Sequence, residues 1–401
     1  MTGMTGMSTD ITQQTIGIGP FPPTTFAVGA VAELAGKVRG LGATRAAIVT
    51  DRGLIATPLP SDVASRLEAA GLHVEVFGEV HPNPTTDDVD AGAVVVRALG
   101  SGGRRADTVV VSLGGGSALD GAKAIALAAA NTVPSAALGW GGAGLAPALP
   151  IVAVPTTSGT GAECNDFGVV TDTGTHRKCY LGGPSCLARA VILDPALTLT
   201  LPAGATAASG IDCLTHAVES FLSIRANAWA DGLDLQVVRL VSQFLRRAVS
   251  DGSDLEARSH LLLAAHTAGL AMSTTGLGIV HGVAHPLGGR FDVPHGVALA
   301  MVLGECLRFN RPERVERLAR LAEPLGVFDA SASASRNADA AIAAVEELVV
   351  DVRLGLRLDG FGITKADLPQ LVADTLDDAV MANTPRAASA EDVHAILLAA
   401  L

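Results

Sequence analysis

Apolar positions follow two different rhythms along the 401 residues. From about Thr24 to Leu199, short β-branched runs alternate with stretches of three-to-four-residue apolar spacing. The runs predict strands at Ala46–Thr50, His73–Phe77, Thr108–Leu113, Ile151–Pro155, Gly168–Thr171 and Ala190–Leu193. The stretches between them predict helices at Val31–Leu41, Asp62–Ala70, Thr86–Leu99 and Ala118–Ala130. Alternation of this kind predicts an α/β domain, a mainly parallel, Rossmann-like sheet covered by helices.

After Pro202 only the helical rhythm continues, in Gly232–Ala248, Leu255–Met272 and Ala338–Leu354 among others. Three capping boxes predict helix starts: Ser253 with Glu256, Thr364 with Asp367, and Ser389 with Asp392. The expected organisation is a disordered polar tail over 1–18, an α/β domain over 19–199 and an all-helical domain over 200–401.

Composition narrows the classes. With 49% apolar and 17% charged residues, burial is ample and general disorder is excluded. The net charge of -12 comes without any lysine–arginine cluster, which argues against nucleic acid or an anionic membrane as partner. One Tyr and two Trp leave little for base- or sugar-stacking platforms. Five cysteines, an odd number with no C-x-x-C pair, speak against a disulfide framework and fit a reduced, cytoplasmic setting. The start, MTGMTGMSTDITQQT, lacks the basic and apolar regions of a signal peptide. The uncharged stretch from Ala124 to Ala162 is broken by Asn131, Pro134, Pro147, Pro150 and Pro155, so it predicts a helix end, a loop and a buried strand of a soluble protein.

Chemistry enters at two places. In DTVVVSLGGGSALDGAKAIALAAA a β-branched strand meets Gly114, Gly115 and Gly116, and a helix begins near Ser117. Glycines let backbone approach a phosphate, and a helix N-terminus offers free N–H groups and a positive dipole end. The pattern is not the spaced G-x-G-x-x-G, and a plain tight turn is the competing explanation. Asp51, ending its strand, is equally suited to a ribose hydroxyl or to capping a turn. Thr156, Thr157, Ser158 and Thr160 follow another strand, where hydroxyls can wrap phosphate and ribose or simply form a loop.

The second place is GIDCLTHAVESFL, where Asp212 and His216 share a helix face, together with HGVAHPLGGRFDVPH, which carries His281, His285 and His295. One carboxylate and several imidazoles suit a divalent transition metal such as iron or zinc. The remaining histidines carry less: His73, His81, His176 and His394 are expected at the surface or in structural roles, and His260 and His266 as core histidines satisfied by backbone.

Taken together, these motifs resemble the iron-containing (group III) alcohol dehydrogenase family over nearly the whole chain after the tail. The resemblance runs through Val49-Thr50-Asp51, Pro82-Asn83-Pro84-Thr85, Gly114-Gly115-Gly116-Ser117, Pro155 to Glu163, Ile192 to Pro195, Gly210 to Glu219 and the 281–296 segment. Asn383-Thr384-Pro385-Arg386 is similar to the family's closing N-P-R motif, with Thr384 in place of asparagine. The resemblance implies the family's two-domain, dehydroquinate synthase-like architecture. It implies a divalent metal, Fe2+ with Zn2+ as the alternative, held by Asp212, His216, His281 and His295, with His285 beside nicotinamide and substrate. It implies NAD(H) with its pyrophosphate at Gly115, Gly116 and Ser117, and contacts from Asp51, Thr156, Thr157, Thr160 and Lys178. Asp51 implies NAD rather than NADP, because a 2′-phosphate would meet a carboxylate. The implied reaction is hydride transfer between nicotinamide and a small alcohol or aldehyde, in a homodimer or larger homo-oligomer.

A metal-free, maleylacetate-reductase-like oxo-acid reductase is the rival. LGGRFDVPH is similar to that group's version of the segment, but Asp212 and PTTSGTGAE are not. A cyclase of the dehydroquinate synthase type and a non-catalytic NAD-binding protein rank lower. The segment Asp377–Asn383, expected to face substrate, matches no subfamily.

Overall fold

The structure, a computed structural model, describes residues 12, 15–100, 107–139, 141–142, 144–175 and 177–401. Most of the expected N-terminal tail and His176 lie outside the described residues. Among the described residues eight strands precede residue 194: β1 Thr24–Phe26, β2 Arg45–Asp51, β3 His73–Val80, β4 Thr108–Gly114, β5 Ile151–Pro155, β6 Phe167–Asp172, β7 Arg177–Gly182 and β8 Ala190–Leu193. Between them run α1 Leu34–Gly40, α2 Leu59–Ala69, α3 Thr86–Leu99 and α4 Gly116–Ala130. Among the described residues no strand follows, only α5 Ala203–Leu222, α6 Ala228–Ser250, α7 Leu255–Thr275, α8 Ile279–Phe291, α9 His295–Leu321, α10 Ala334–Asp351, α11 Leu368–Leu376 and α12 Ala390–Ala400. The fold is thus a parallel-sheet α/β domain followed by a helical one.

Six strands form an entirely parallel sheet in the order β1-β8-β5-β4-β2-β3. Three of its four inner strands, β4, β5 and β8, are buried at every position, as expected when helices cover both faces. Apolar cores lie on the two sides of the sheet, and a third fills the helical half.

Three expectations need correction. The strand at Gly168–Thr171 does not join the main sheet. As β6 it pairs antiparallel with β7, which periodicity did not reveal, in a separate hairpin lying on α4 and reaching α8. Gly168 makes the seating possible, since a Cβ there would stand 2.3 Å from the carbonyl oxygen of Asp120. The edge strand β1, three residues long, also gave no periodic signal. The Ser253–Glu256 box is not made: Asp254 caps α7 by accepting from Ala257 N, while Ser253 donates to Asp251. At the second box, Asp367 accepts from Thr364 N and Oγ1, but α11 starts only at Leu368. The Ser389–Asp392 box forms in full.

Candidate active site and metal centre

The chain leaves β2 toward β3 on one edge of the sheet and leaves β4 toward β5 on the other, so the topology switches between β2 and β4. At such a point the loops beyond the strands' carboxyl ends diverge and open a crevice, where α/β sheets bind ligands. Asp51 and Gly114 are those ends. A Cβ on Gly114 would stand 2.6 Å from that of Ala118 and 3.0 Å from Asp51 Oδ2. On Gly115 it would meet the Thr157 methyl at 3.0 Å, and on Gly116 that of Thr160 at 2.4 Å. The missing side chains therefore let the Thr156–Gly161 loop close down on the start of α4. That start has no side-chain cap, so its first N–H groups are available to an anion.

The polar residues of this wall are partly engaged. Asp51 Oδ1 accepts from Gly53 N and Leu54 N, both at 2.9 Å, which is the turn-capping role, while Oδ2 faces the glycine loop. Thr156 N donates to Gly114 O, tying β5's end to β4's. Thr160 Oγ1 accepts from Ala162 N. Ser117 donates its hydroxyl to Pro82 O. Lys178, on β7, donates to Asn83 Oδ1 at 3.0 Å; burial pushes its ammonium down to about 8, against the opposing pull of Asp120 and Cys179.

The helical half brings the metal candidates together. Asp212 and His216 lie one turn apart on α5, His281 and His285 one turn apart on α8, and His295 is the first residue of α9. The Nε2 atoms of His216, His295 and His281 stand 3.4, 3.7 and 3.9 Å from Asp212 Oδ1. Donors bound to one ion at about 2 Å are spaced roughly 3–4 Å apart. Asp212, His216 and His281 are buried, whereas His295 is the most open of the four. Asp212 Oδ1 and His281 Nε2 are buried without a hydrogen-bond partner, as is His216 Nδ1. Burial pushes the Asp212 carboxyl up and holds His281 and His295 well below the usual imidazole value, with neighbouring imidazoles adding to the latter effect. A partnerless buried carboxylate oxygen and a partnerless buried imidazole nitrogen facing each other, with two further imidazoles beside them, fit a divalent cation, which would offset these costs.

Beside the candidate ligands sits Glu219, which the motifs gave no role. Glu219 Oε2 lies 2.5 Å from His281 Nδ1 and Oε1 accepts from Val280 N at 2.7 Å; an ionised Glu219 accepts from Nδ1–H and leaves the Nε2 lone pair pointing inward. Burial raises the Glu219 carboxyl to about 7 despite these bonds. Its signal was available, because Asp212, His216 and Glu219 fall at i, i+4 and i+7 on one helix face. His285 stands beside this group, its ring 5.8 Å from those of His281 and His295, and its Nδ1 lies 2.7 Å from Asp378 Oδ2. The Asp377–Asn383 segment packs on α8 where Gly282 leaves room for Met381.

His266 departs from its expected role. Its partners are Glu163 Oε1 at 3.0 Å, Cys164 Sγ at 3.2 Å and Thr24 Oγ1 at 3.2 Å, not backbone. This buried group binds the end of the threonine loop to α7. His260 stacks on Phe244 at 4.1 Å, His81 bonds Asp88, and His73 and His394 are exposed.

With this geometry, kinship can be assigned. Residues 22–195 match the iron-containing alcohol dehydrogenase family, and residues 206–401 match the C-terminal part of the Fe-containing alcohol dehydrogenase family. An NAD-dependent methanol dehydrogenase of Bacillus methanolicus is 32% identical, with 95% of this chain and 98% of the relative covered. The chain belongs to the iron-containing alcohol dehydrogenase family. A lactaldehyde reductase of Escherichia coli (strain K12) is 34% identical over 92% of this chain and 95% of its own. The crystal structure of a 1,3-propanediol oxidoreductase superposes with a TM-score of 0.90 at 34% identity, covering 97% of this iron-containing alcohol dehydrogenase and 100% of the other chain. No single described helix is long and apolar enough to cross a membrane; α7 and α8 pass that test only as a pair bent by 108°, and both are largely buried.

Proposed function

We propose that this chain is a metal-dependent, NAD(H)-linked alcohol dehydrogenase or aldehyde reductase for a small alcohol or aldehyde, assembled as a homodimer or larger homo-oligomer in the cytoplasm. The observation that carries this is the Asp212 carboxylate, buried and unpaired, ringed by three imidazole nitrogens. Asp212, His216, His281 and His295 would hold one divalent ion, ferrous iron by family kinship, with zinc accepted by the same donors. When bound, the metal supplies Lewis acidity at the substrate oxygen and the nicotinamide gives or takes the hydride. Such a metal role is what disfavours the metal-free oxo-acid reductase, which would leave Asp212 unpaired.

The chain's own residues do the rest. Gly115, Gly116 and the uncapped start of α4 receive the pyrophosphate, with Gly114, Thr156, Thr157 and Thr160 shaping the cradle and Ser117 holding it to Pro82. Asp51, anchored through Oδ1, keeps Oδ2 for a ribose hydroxyl and would repel a 2′-phosphate, which favours NAD. Lys178 places a cation between cradle and metal centre. His285 accepts the substrate's hydroxyl proton during oxidation and returns it during reduction, at the ring nitrogen not facing Asp378. The proposed domain limits are 19–199 for the α/β half and 200–401 for the helical half.

The test is NADH consumption against short aldehydes, hydroxyaldehydes and oxo acids. Metal-stripped protein is compared with protein given ferrous iron or zinc anaerobically. Aldehyde reduction that requires metal supports the proposal, and metal-indifferent oxo-acid reduction rejects it.

A further inference from the structure

We infer that Asp378 is a positioning residue: its carboxylate holds the proton of His285 on Nδ1, so that Nε2 presents a lone pair to the cleft. This rests on the proposed role of His285 and adds to it the group that sets its tautomer. A free neutral imidazole carries its proton on either nitrogen, and only a lone pair at the cleft-facing nitrogen can take a proton from an alcohol.

Four observations support this. Asp378 Oδ2 lies 2.7 Å from His285 Nδ1, and an ionised carboxylate only accepts, so Nδ1 must donate. Burial pushes the Asp378 carboxyl up, but the hydrogen bond and charge of His285 and the Val380 N–H outweigh it and keep the group below the usual carboxylate range. The other oxygen, Oδ1, accepts from Val380 N at 3.0 Å, so each oxygen has one fixed partner and the carboxylate cannot swing away. His285 Nε2 has no hydrogen-bond partner among the described residues.

The whole segment is pinned. Asn383 donates to Leu277 O at 3.1 Å and its own carbonyl accepts from Ile224 N, while Met381 occupies the space over Gly282. Asp378 therefore reaches His285 from a frame fixed to the same helices that carry the metal ligands. When the alcohol's O–H proton moves to Nε2, the imidazolium that forms keeps its Nδ1–H···Asp378 bond, and the carboxylate stabilises the new positive charge without itself gaining a proton.

Asp378→Asn separates this role from a structural one. Asparagine caps the Ala379–Asn383 turn as well as aspartate does, but it has a single acceptor. With that oxygen on Val380 N, its NH2 faces His285 Nδ1 and demands the opposite tautomer. The expected result is a fall in kcat of roughly 10²-fold, with NADH affinity and metal content unchanged and the melting temperature close to wild type. Asp378→Asn in a His285→Ala background should cost nothing further, because the residue acts only through that imidazole. In 15N-histidine spectra of metal-free protein, assigned by loss of the His285 signal in H285A, wild type should show Nδ1–H and D378N should show Nε2–H. If D378N does not fold, Asp378→Ser, a good cap too short to reach His285, takes its place with a smaller expected kcat loss of roughly tenfold, because the freed imidazole keeps both tautomers and loses only the carboxylate's charge. Wild-type kcat in the variant, additive losses in the double variant, or an unchanged tautomer would each overturn the inference. Should wild type turn over nothing in the substrate panel, the functional proposal fails, while the tautomer measurement still decides this one.

Discussion

In the helical wall of the cleft the site is made by side chains; in the α/β wall it is made by their absence. Asp212, His216, His281 and His295 come from three helices and converge until hydrogen bonding cannot satisfy them. Across the cleft, Gly114, Gly115 and Gly116 sit where any Cβ would collide with Ala118, Thr157 or Thr160, and the groups offered to a ligand are backbone N–H. The first wall should fail when atoms are removed and the second when atoms are added. Each should fail without the other if the two are independent.

The largest effect is expected from Asp212→Ala. Losing the carboxylate removes the ion and with it several kcal/mol of transition-state stabilisation, so turnover should drop by about 10³-fold or more while NADH binding, followed by fluorescence, stays near wild type. A collapse of NADH binding as well would break the comparison. Next comes Glu219→Gln, which leaves His281 its ring but weakens control of its tautomer; metal affinity in a chelator competition should fall by about 10–100-fold. Smaller again is Gly116→Ala, whose methyl meets Thr160 at 2.4 Å. NADH dissociation should rise roughly tenfold, about 1.4 kcal/mol, at unchanged metal content, and adding Thr160→Ser should recover part of it. The smallest is a pH effect. Lys178, pushed down to about 8, is a cation below that pH and neutral above it. NADH affinity should weaken severalfold between pH 7 and 9 in the wild type, and Lys178→Met should be weak and flat across that range.

The same contrast explains how much was legible in the sequence. The candidate metal cluster was legible as a cluster because side-chain identity is written in the chain and helix spacing says which residues share a face; Asp212 with His216 and His281 with His285 needed no more than that. Glu219 extended the same stripe and could have been read from it. The cradle was half legible: three glycines before a helix suggested an anion site, but that Thr157 and Thr160 press on them depends on β4 and β5 being neighbours, with Gly114 opposite Pro155. Partners brought in from far along the chain left no local trace. Asp378 lies 93 residues from His285, and Glu163 lies 103 from His266. The β6–β7 hairpin was half legible for a related reason: Gly168–Thr171 read as a strand, β7 gave no signal, and only packing on α4 decides which sheet they join.

The five cysteines of this chain are free, so nothing covalent joins one helix to another. The proposed metal centre would change that. An ion shared by α5, α8 and α9 would staple the middle of one helix to the first turn of a second and the first residue of a third, much as a disulfide would, but through a link that can be withdrawn. An ion that binds only the folded form would make its free concentration a term in the folding equilibrium, and a hundredfold excess over its dissociation constant would add about 2.7 kcal/mol. Metal supply would then govern how long each molecule survives proteolysis, as well as how fast it works.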